Sequence, residues 1–360
     1  MRESAWTGWA TCGLSSCIVE LTVLVQAQAH NEPSYFPQPS HGSGRLRVRF
    51  LVSIGMGRPH RFLDNDSGIV ELTSRCLQGR FLMRPSSEVN DRILGIIGRA
   101  QRLTGARLYS FNYQSNHSHD LIGVDSVEQM AAYERFLKGN LAKELGRHYN
   151  WKEKFWGRRY HSACLAEDEL DQQKRLRYVL ANGCKDGLVD SPLDWPGVST
   201  AWALSRGIWK LKGTWLDRSS DRSAQGERGP VEVEETVRLS PLPFMEHWSR
   251  DEQRTWFCDL LRDIEQDARE RRHHEGRRSV GVARILEQDP HDAPTSFRAS
   301  PAPLFHATHP AHRRRLKYAR DIKEAAYQFA AERLRRGLPD VAFPDDCFLP
   351  PHVRAQRGPP

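Results

Sequence analysis

From residue 69 onward, apolar and polar positions alternate between two rhythms. "IVELTSRCLQGRFLMR" (69–84) is rich in apolar and β-branched residues and reads as a long strand, or as a hairpin turning at Gln78-Gly79. "PSSEVNDRILGIIGRAQRLTG" then changes to a helical period. Ser86 or Ser87 can cap it, Val89, Ile93, Ile96, Ile97, Ala100 and Leu103 share a stripe, and Gly105 stops it. "ARLYSFNYQ" alternates as a second strand, and 116–124 reads as a third, so the two form a hairpin. Ser126-x-x-Gln129 is a capping box for a helix reaching about Gly146, with Met130, Tyr133, Leu137 and Leu141 on its buried side. "FWGRRYHSACLA" reads as a further strand. "EDELDQQKRLRYVLAN" reads as a third helix ending at Gly183.

The order β-α-β-β-α-β-α over 69–190 predicts an α+β sandwich: a ferredoxin-like antiparallel sheet with helices on one face. Residues 213–245 read as a polar connector with one strand pair. A mostly helical C-terminal region follows. Ser249-x-x-Glu252 caps a helix carrying Trp256, Phe257, Leu260, Leu261 and Ile264, and a last helix near 312–336 aligns Leu316, Ile322, Ala326, Phe329 and Leu334. The implied domains are a weakly ordered extension (1–68), a catalytic domain (69–200), a connector (201–248), a helical region (249–340) and a tail (341–360).

Composition narrows the function classes. The 360 residues carry 53 Lys and Arg against 45 Asp and Glu, a net charge of +8, and are 39% hydrophobic. That balance suits a folded protein that meets a polyanion, with nucleic acid the commonest, and excludes a membrane protein. Seven widely spaced cysteines with no CxxC pair make neither a disulfide framework nor a zinc ribbon, and fit reduced thiols in the cytoplasm. "CIVELTVLVQAQA" (17–29) is interrupted by Glu20 and too short to span a bilayer, so it reads as part of the extension.

Candidate chemistry begins at "SNHSHDLIGV" (115–124). His117 and His119 are two apart on a strand and share a face, where they can hold a metal ion or simply be polar residues on a wet surface. On the third helix, Leu176, Val179 and Leu180 fall on one side. Asp171, Lys174, Arg175, Tyr178 and Asn182 fall on the other. Tyr178 there is either a half-exposed residue covering a sheet edge or a reactive hydroxyl. Two imidazoles with a metal can polarise a phosphate oxygen, and an activated tyrosine can attack the phosphorus, with Lys174 and Arg175 placed to help. No P-loop is present to bind a nucleotide cofactor.

These residues resemble the HUH single-strand endonucleases, specifically the REP-associated tyrosine transposases and their insertion-sequence relatives. The similarity lies in Asn116-His117-Ser118-His119, in "FWGRRY" (155–160), in "YVLANGCKDGL" with Tyr178, Asn182, Gly187 and Leu188, and in "GRFLMRPS" near residue 80. It spans roughly 69–200, in family order. The resemblance implies that His117 and His119 ligate Mg²⁺ or Mn²⁺. It implies that Tyr178 is the nucleophile, leaving a 5′-phosphotyrosine and a free 3′-OH, and that Asn182 completes or orients the metal site. It also implies single-stranded or hairpin DNA as substrate and leaves room for a homodimer. The chain departs from the family at Ser118, at Asp120, which would be costly on a core face, and at Asn182-Gly183, where the family has Asn-Pro.

"RHYNWKEKFWGRRYH" (147–161) interleaves cations with aromatics, as single-strand binding surfaces do. Trp151, Lys154, Trp156, Arg158 and Arg159 therefore join Lys174 and Arg175 as candidate DNA contacts, although some of these aromatics belong in the core. His306, His309 and His312 read as loop or structural histidines, and "RERRHHEGRR" (269–278) as an exposed charged loop. The leading expectation is a metal-dependent DNA transposase using Tyr178. The alternatives are a catalytically inactive DNA-binding relative of the same fold, a regulator or mobile-element relic, and a metal hydrolase acting through water.

Overall fold

In the computed structural model, the described residues are 17–22, 47–52, 60–64, 68–218, 229–295, 302–338, 341–344 and 347–349. Two units divide the chain, Met1–His60 and Arg61–Pro360. In the first, β1 (Cys17–Thr22) pairs antiparallel with β2 (Arg47–Val52). Apart from 60–64 and 68, the rest of the expected N-terminal extension, and most of the expected C-terminal tail, lie outside the described residues.

The second unit is built on a sheet ordered β4-β5-β3-β6-β9. Its strands are β3 (Ile69–Arg75), β4 (Arg107–Tyr113), β5 (His117–Gly123), β6 (His161–Leu165) and β9 (Phe305–His306). The first four pair antiparallel, as expected. β9 is contributed by the C-terminal region and joins β6 in parallel, so the sheet is mixed.

Helix α1 (Ser87–Thr104) starts where Ser86 Oγ accepts from the Val89 amide and stops at Gly105, left-handed at φ 71°. Val89, Ile93, Ile96, Ile97 and Ala100 are buried as the stripe predicts, but Leu103 at the fraying end is exposed. Helix α2 (Val127–His148) is capped by Ser126 and buries Met130, Tyr133, Leu137 and Leu141. Both helices cover one face of the sheet, where Leu72, Phe111 and Tyr113 form the core.

The expectation of helices on one face needs correction. His119 and Asp120 are adjacent on β5 and so point to opposite faces. Asp120 faces α2, whereas His119 faces Tyr178 on α3 (Glu169–Leu180). The sheet is therefore covered on both sides, and the "polar" side of α3 is divided: Asp171 and Asn182 are buried against the sheet, Arg175 and Tyr178 are half-buried, and Lys174 is exposed.

Other expectations also shift. No hairpin forms at Gln78-Gly79; after β3 the chain makes a short 3-10 turn with both residues at positive φ, and 80–86 runs on without a strand. "FWGRRY" precedes β6 as a loop, held to the end of β3 by a Cys76–Trp156 bridge and by the Gly157 amide donating to the Arg75 carbonyl. Helix α3 does not end at Gly183. It passes Ala181 into a short turn of helix, α4 (Asn182–Lys185), with Gly187 at φ 70° after it. Gly183 instead packs closely, since a Cβ there would lie 3.2 Å from Val189.

The connector forms the anticipated strand pair, β7 (Lys210–Asp217) with β8 (Val231–Arg238), after the short helix α5 (Ala201–Ser205). The hairpin lies on α1 at backbone contact: a Cβ on Gly95 would fall 2.2 Å from the Thr214 carbonyl. Helix α6 (Arg250–Glu275) carries a complete Ser249–Glu252 capping box and buries Phe257, Leu260, Leu261 and Ile264. It absorbs the first residues of the stretch expected to be a charged loop. After α7 (Val282–Glu287) comes α8 (Pro310–Arg335), which buries Leu316 and Ala330 but leaves Ile322 and Phe329 exposed, so the predicted stripe is only partly used.

Asp120 is the departure that sequence makes look costly. It is buried, at 1% exposure, on the core face. Among the described residues no arginine pairs with it; the Tyr113 hydroxyl donates to its Oδ1 at 2.9 Å. Burial, reinforced by nearby Glu134, raises its pKa well above the ordinary value, so the carboxyl is tolerated there as a neutral acid.

Candidate active site

Strand alternation brings His117 and His119 together on the α3 face, with ring centroids 5.2 Å apart. Each ring is held by its Nδ1. His117 Nδ1 lies 2.7 Å from Asn116 Oδ1, and His119 Nδ1 lies 2.7 Å from Glu71 Oε1 and 3.2 Å from Thr73 Oγ1. These partners fix the ring orientations and leave the Nε2 atoms toward the site. Burial, then the charges of His119, Arg75 and Lys185, push the His117 pKa well below its usual value. It is therefore neutral, the form that can offer a lone pair to a cation.

Glu71 is the hub beneath the pair. It is 2% exposed, and β3 places it diagonally across from His119, two residue pairs along the ladder on the same face. Its Oε2 accepts from His306 Nε2 at 2.9 Å, and Arg175 forms an ion pair with its Oε1. Burial alone would raise its pKa, but the hydrogen bonds from His119 and His306 and the Arg175 charge hold it well below the carboxylate range.

Tyr178 comes from α3, whose apolar residues Leu176, Val179 and Leu180 anchor the helix. Its ring sits edge-on to His119, with centroids 5.4 Å apart. The Arg175 guanidinium lies 3.8 Å from the ring centroid, and Lys185 Nζ lies 2.9 Å from the hydroxyl. The seven-residue spacing is two helical turns, so Lys185 reaches Tyr178 only because the helix continues through Gly183. Asn182 is fully buried, with Nδ2 3.4 Å from His117 Nε2 and Oδ1 lacking any hydrogen-bond partner among the described residues.

The C-terminal region ties both halves of this arrangement together. β9 brings His306 to Glu71, and two residues later the Thr308 amide donates to Asp171 Oδ1 on α3 at 2.6 Å. Lys174 Nζ lies 3.3 Å from Thr308 Oγ1. His306, expected to be a loop residue, is thus part of the site, whereas His309 caps α8 through its own side chain.

The residues of 147–161 divide. The backbone of Phe155 and Gly157 is stitched to Leu77 and Arg75, at the end of β3 opposite His117. Arg158 and Arg159 are exposed there. Lys154 Nζ approaches the Gly157 carbonyl at 3.4 Å. Trp151 is half-buried, with Arg80 5.2 Å from its ring centroid. Trp156 is 8% exposed and donates its indole N–H to the Lys138 carbonyl at 2.9 Å, so it packs instead of presenting a free ring face.

Sequence reading missed Glu71, Lys185, His306 and His161, the last a half-buried neighbour on β6 whose Nε2 is inaccessible and has no partner among the described residues. Glu71 left a signal: a lone carboxylate inside an apolar strand needs a partner. Lys185 also did, being in helical phase with Tyr178. The contact of His306 with Glu71 spans 235 residues, and nothing local announces it.

A metal fits this donor set. Asn182 carries an orphaned amide oxygen, and since amide O and N are assigned by their hydrogen bonds, a flip would point that oxygen toward His117 Nε2. Two imidazole nitrogens and one amide oxygen can hold a divalent ion with positions left open. Among the described residues no group of three or more His, Cys, Asp or Glu gathers as a metal site, so the amide is needed to complete the set.

Residues 83–180, about a quarter of the chain, match the family described as transposase IS200 like. The match takes in the histidine strand and ends just past Tyr178. Among solved structures, a REP-associated tyrosine transposase bound to a REP hairpin is similar at 18% identity, covering 43% of this chain and 88% of that one, with a TM-score of 0.35. A Deinococcus radiodurans R1 protein, described from its crystal structure as a transposase, is similar at 16% identity, covering 34% and 94%, with a TM-score of 0.24. No curated protein matches significantly. No helix among the described residues is long and apolar enough to cross a membrane.

Proposed function

We propose that this protein nicks and rejoins single-stranded DNA, beside a hairpin, by attack of Tyr178 on a phosphodiester, as a step of DNA transposition. The observation carrying this reading is the convergence of Tyr178, Asn182, His117 and His119 on one face of the sheet, with all but Asn182 inside the segment that matches the transposase family. In the reaction, a bond forms between the Tyr178 oxygen and phosphorus, and the bond from phosphorus to the 3′-oxygen breaks. The hydroxyl proton passes to solvent, the 3′-oxygen leaves as a hydroxyl, and the 5′-phosphate stays on the tyrosine. Because the phosphodiester energy is conserved in that linkage, the reverse attack by a 3′-OH rejoins DNA without a nucleotide cofactor.

Lys185 and Arg175 place positive charge against the hydroxyl and the ring, where phenolate character develops. His117, His119 and Asn182 would hold Mg²⁺ or Mn²⁺. Once bound, the ion would polarise a phosphate oxygen as a Lewis acid. Arg158, Arg159, Lys154 and Trp151 are proposed to contact the DNA strand at the end of the sheet where Arg75 pairs with His117. The site of action is the cytoplasm, with the DNA. The inactive-relative reading drew on Ser118 and Asp120. Both lie on the core face of β5, away from the imidazoles, and Tyr113 accommodates Asp120.

The test mixes labelled hairpin DNA from the repeats flanking the gene with the protein and Mn²⁺ on a denaturing gel. A covalent band absent in Tyr178→Phe and with chelator supports the tyrosine mechanism. DNA binding without a band supports the inactive relative, and turnover without a band supports a water-dependent hydrolase.

A further inference from the structure

Beside Tyr178, α3 and α6 enclose a groove of about 220 Å³. Four cations line it, Lys174, Arg177, Lys185 and Arg271, against a single carboxylate, Asp267. That carboxylate is already spent on Arg177, at 2.5 Å. Lys185 is turned to Tyr178 and Asp186, and Lys174 to Thr308. Arg271 is exposed and has no hydrogen-bond or ion-pair partner among the described residues. The floor is apolar, with Ile264 and Ala268 from α6. A cationic rim over an apolar floor suits a ligand that is anionic on one side and apolar on the other, which is the chemistry of a nucleotide strand. α6 lies outside the family-matched segment, so half of this groove is supplied by the chain's own C-terminal region.

We propose that the groove between α3 and α6 seats the sugar-phosphate backbone of the single strand adjoining the phosphate attacked by Tyr178, with Arg271 contacting one phosphate. This rests on the proposed function and adds to it the path of the strand at the tyrosine. Arg271 is a binding residue, not a participant in the chemistry.

Each phosphate contact to a single strand adds about 0.7 to the salt slope of binding. The full-length protein, Arg271→Ala and Arg271→Glu are titrated with fluorescein-labelled oligothymidylate across a salt series. Arg269→Ala serves as a same-charge control, since Arg269 pairs with Glu265 on the same helix. Arg271→Ala should lower the slope by about 0.7, so that raising salt from about 50 to about 200 mM weakens it roughly threefold less than wild type. Arg271→Glu should weaken binding further, and the control should match wild type. Arg271 is exposed, so equal melting temperatures should show that all variants fold. If both Arg271 variants keep the wild-type affinity and slope while wild type binds DNA and forms the Tyr178 adduct, the groove assignment is overturned and the proposed function stands. If wild type binds no single-stranded DNA, both are overturned.

Discussion

Lys185 Nζ lies 2.9 Å from the hydroxyl of Tyr178 and 4.3 Å from the centroid of its ring. A fixed ammonium at that position stabilises negative charge as it develops on the oxygen, with no reorganisation at the moment of attack. Lys185→Ala should slow covalent adduct formation by a factor on the order of 10², the usual cost of losing one such donor. Single-turnover kinetics at saturating DNA reads this directly. An unchanged rate would show that the contact is only structural.

Glu71 links three cationic or imidazole groups, so its variants should separate positioning from folding. His306→Ala removes one hydrogen bond and should weaken Mn²⁺ binding about tenfold, as loss of such outer partners does. Glu71→Ala also strands Arg175, which is 13% exposed, and should destabilise the protein by about 3–5 kcal/mol. Mn²⁺ titration by electron paramagnetic resonance and urea unfolding report the two effects. Wild-type Mn²⁺ affinity in His306→Ala, with the fold intact, would sever the proposed link from His306 to the site.

A buried carboxyl on α2 sets a pH dependence of stability. Burial raises the Glu134 pKa from 4.5 to about 7, with Lys138 and Arg61 pulling the other way. The folded state therefore holds a proton that the unfolded chain releases. The resulting stability is full below about 4.5 and is lost as pH rises through about 7. The swing is about 3 kcal/mol. Glu134→Gln should flatten this decline, leaving melting temperatures nearly equal at either end of the window. A Glu134→Gln variant whose stability changes with pH over that range just as wild type does would contradict the assignment.

The hairpin on α1 depends on the absence of side chains. Gly95 and Gly213 meet backbone to backbone: a Cβ on Gly213 would lie 2.4 Å from the Gly95 nitrogen. Gly95→Ala should push β7 off the helix and cost about 1–3 kcal/mol, despite alanine's better helix propensity. Its urea midpoint should fall. A higher midpoint would mean that the hairpin shifts without penalty.

Local rules carried most of the fold. Ser86, Gly105, Ser126 and Ser249 set the helix ends, and two-residue alternation gave β4 and β5. Where prediction failed, long-range packing decided. Gly183 looked like a helix stop, but packing against Val189 and Trp195 carries the chain onward. The side of α3 bearing Asp171 and Asn182 looked solvent-facing because polar residues usually are. Here partners across the sheet replace water. The histidine pair, Tyr178 and Asn182 were legible because strand and helix periods place them. Glu71 and His306 were not jointly legible, because their meeting depends on a parallel strand pairing that no local pattern encodes.

That pairing has a consequence for synthesis. At ribosomal rates of roughly 5–20 residues per second, the 235 residues from Glu71 to His306 take about 10–50 s to emerge. Once residue 180 has emerged, the histidine strand and the tyrosine helix are both present on the nascent chain, while the strap that joins Glu71 to His306 and Asp171 to Thr308 is not. The proposed nuclease is thus assembled last, and a chain broken off before residue 305 would carry the proposed metal-binding and nucleophilic side chains without the clamp that holds them together.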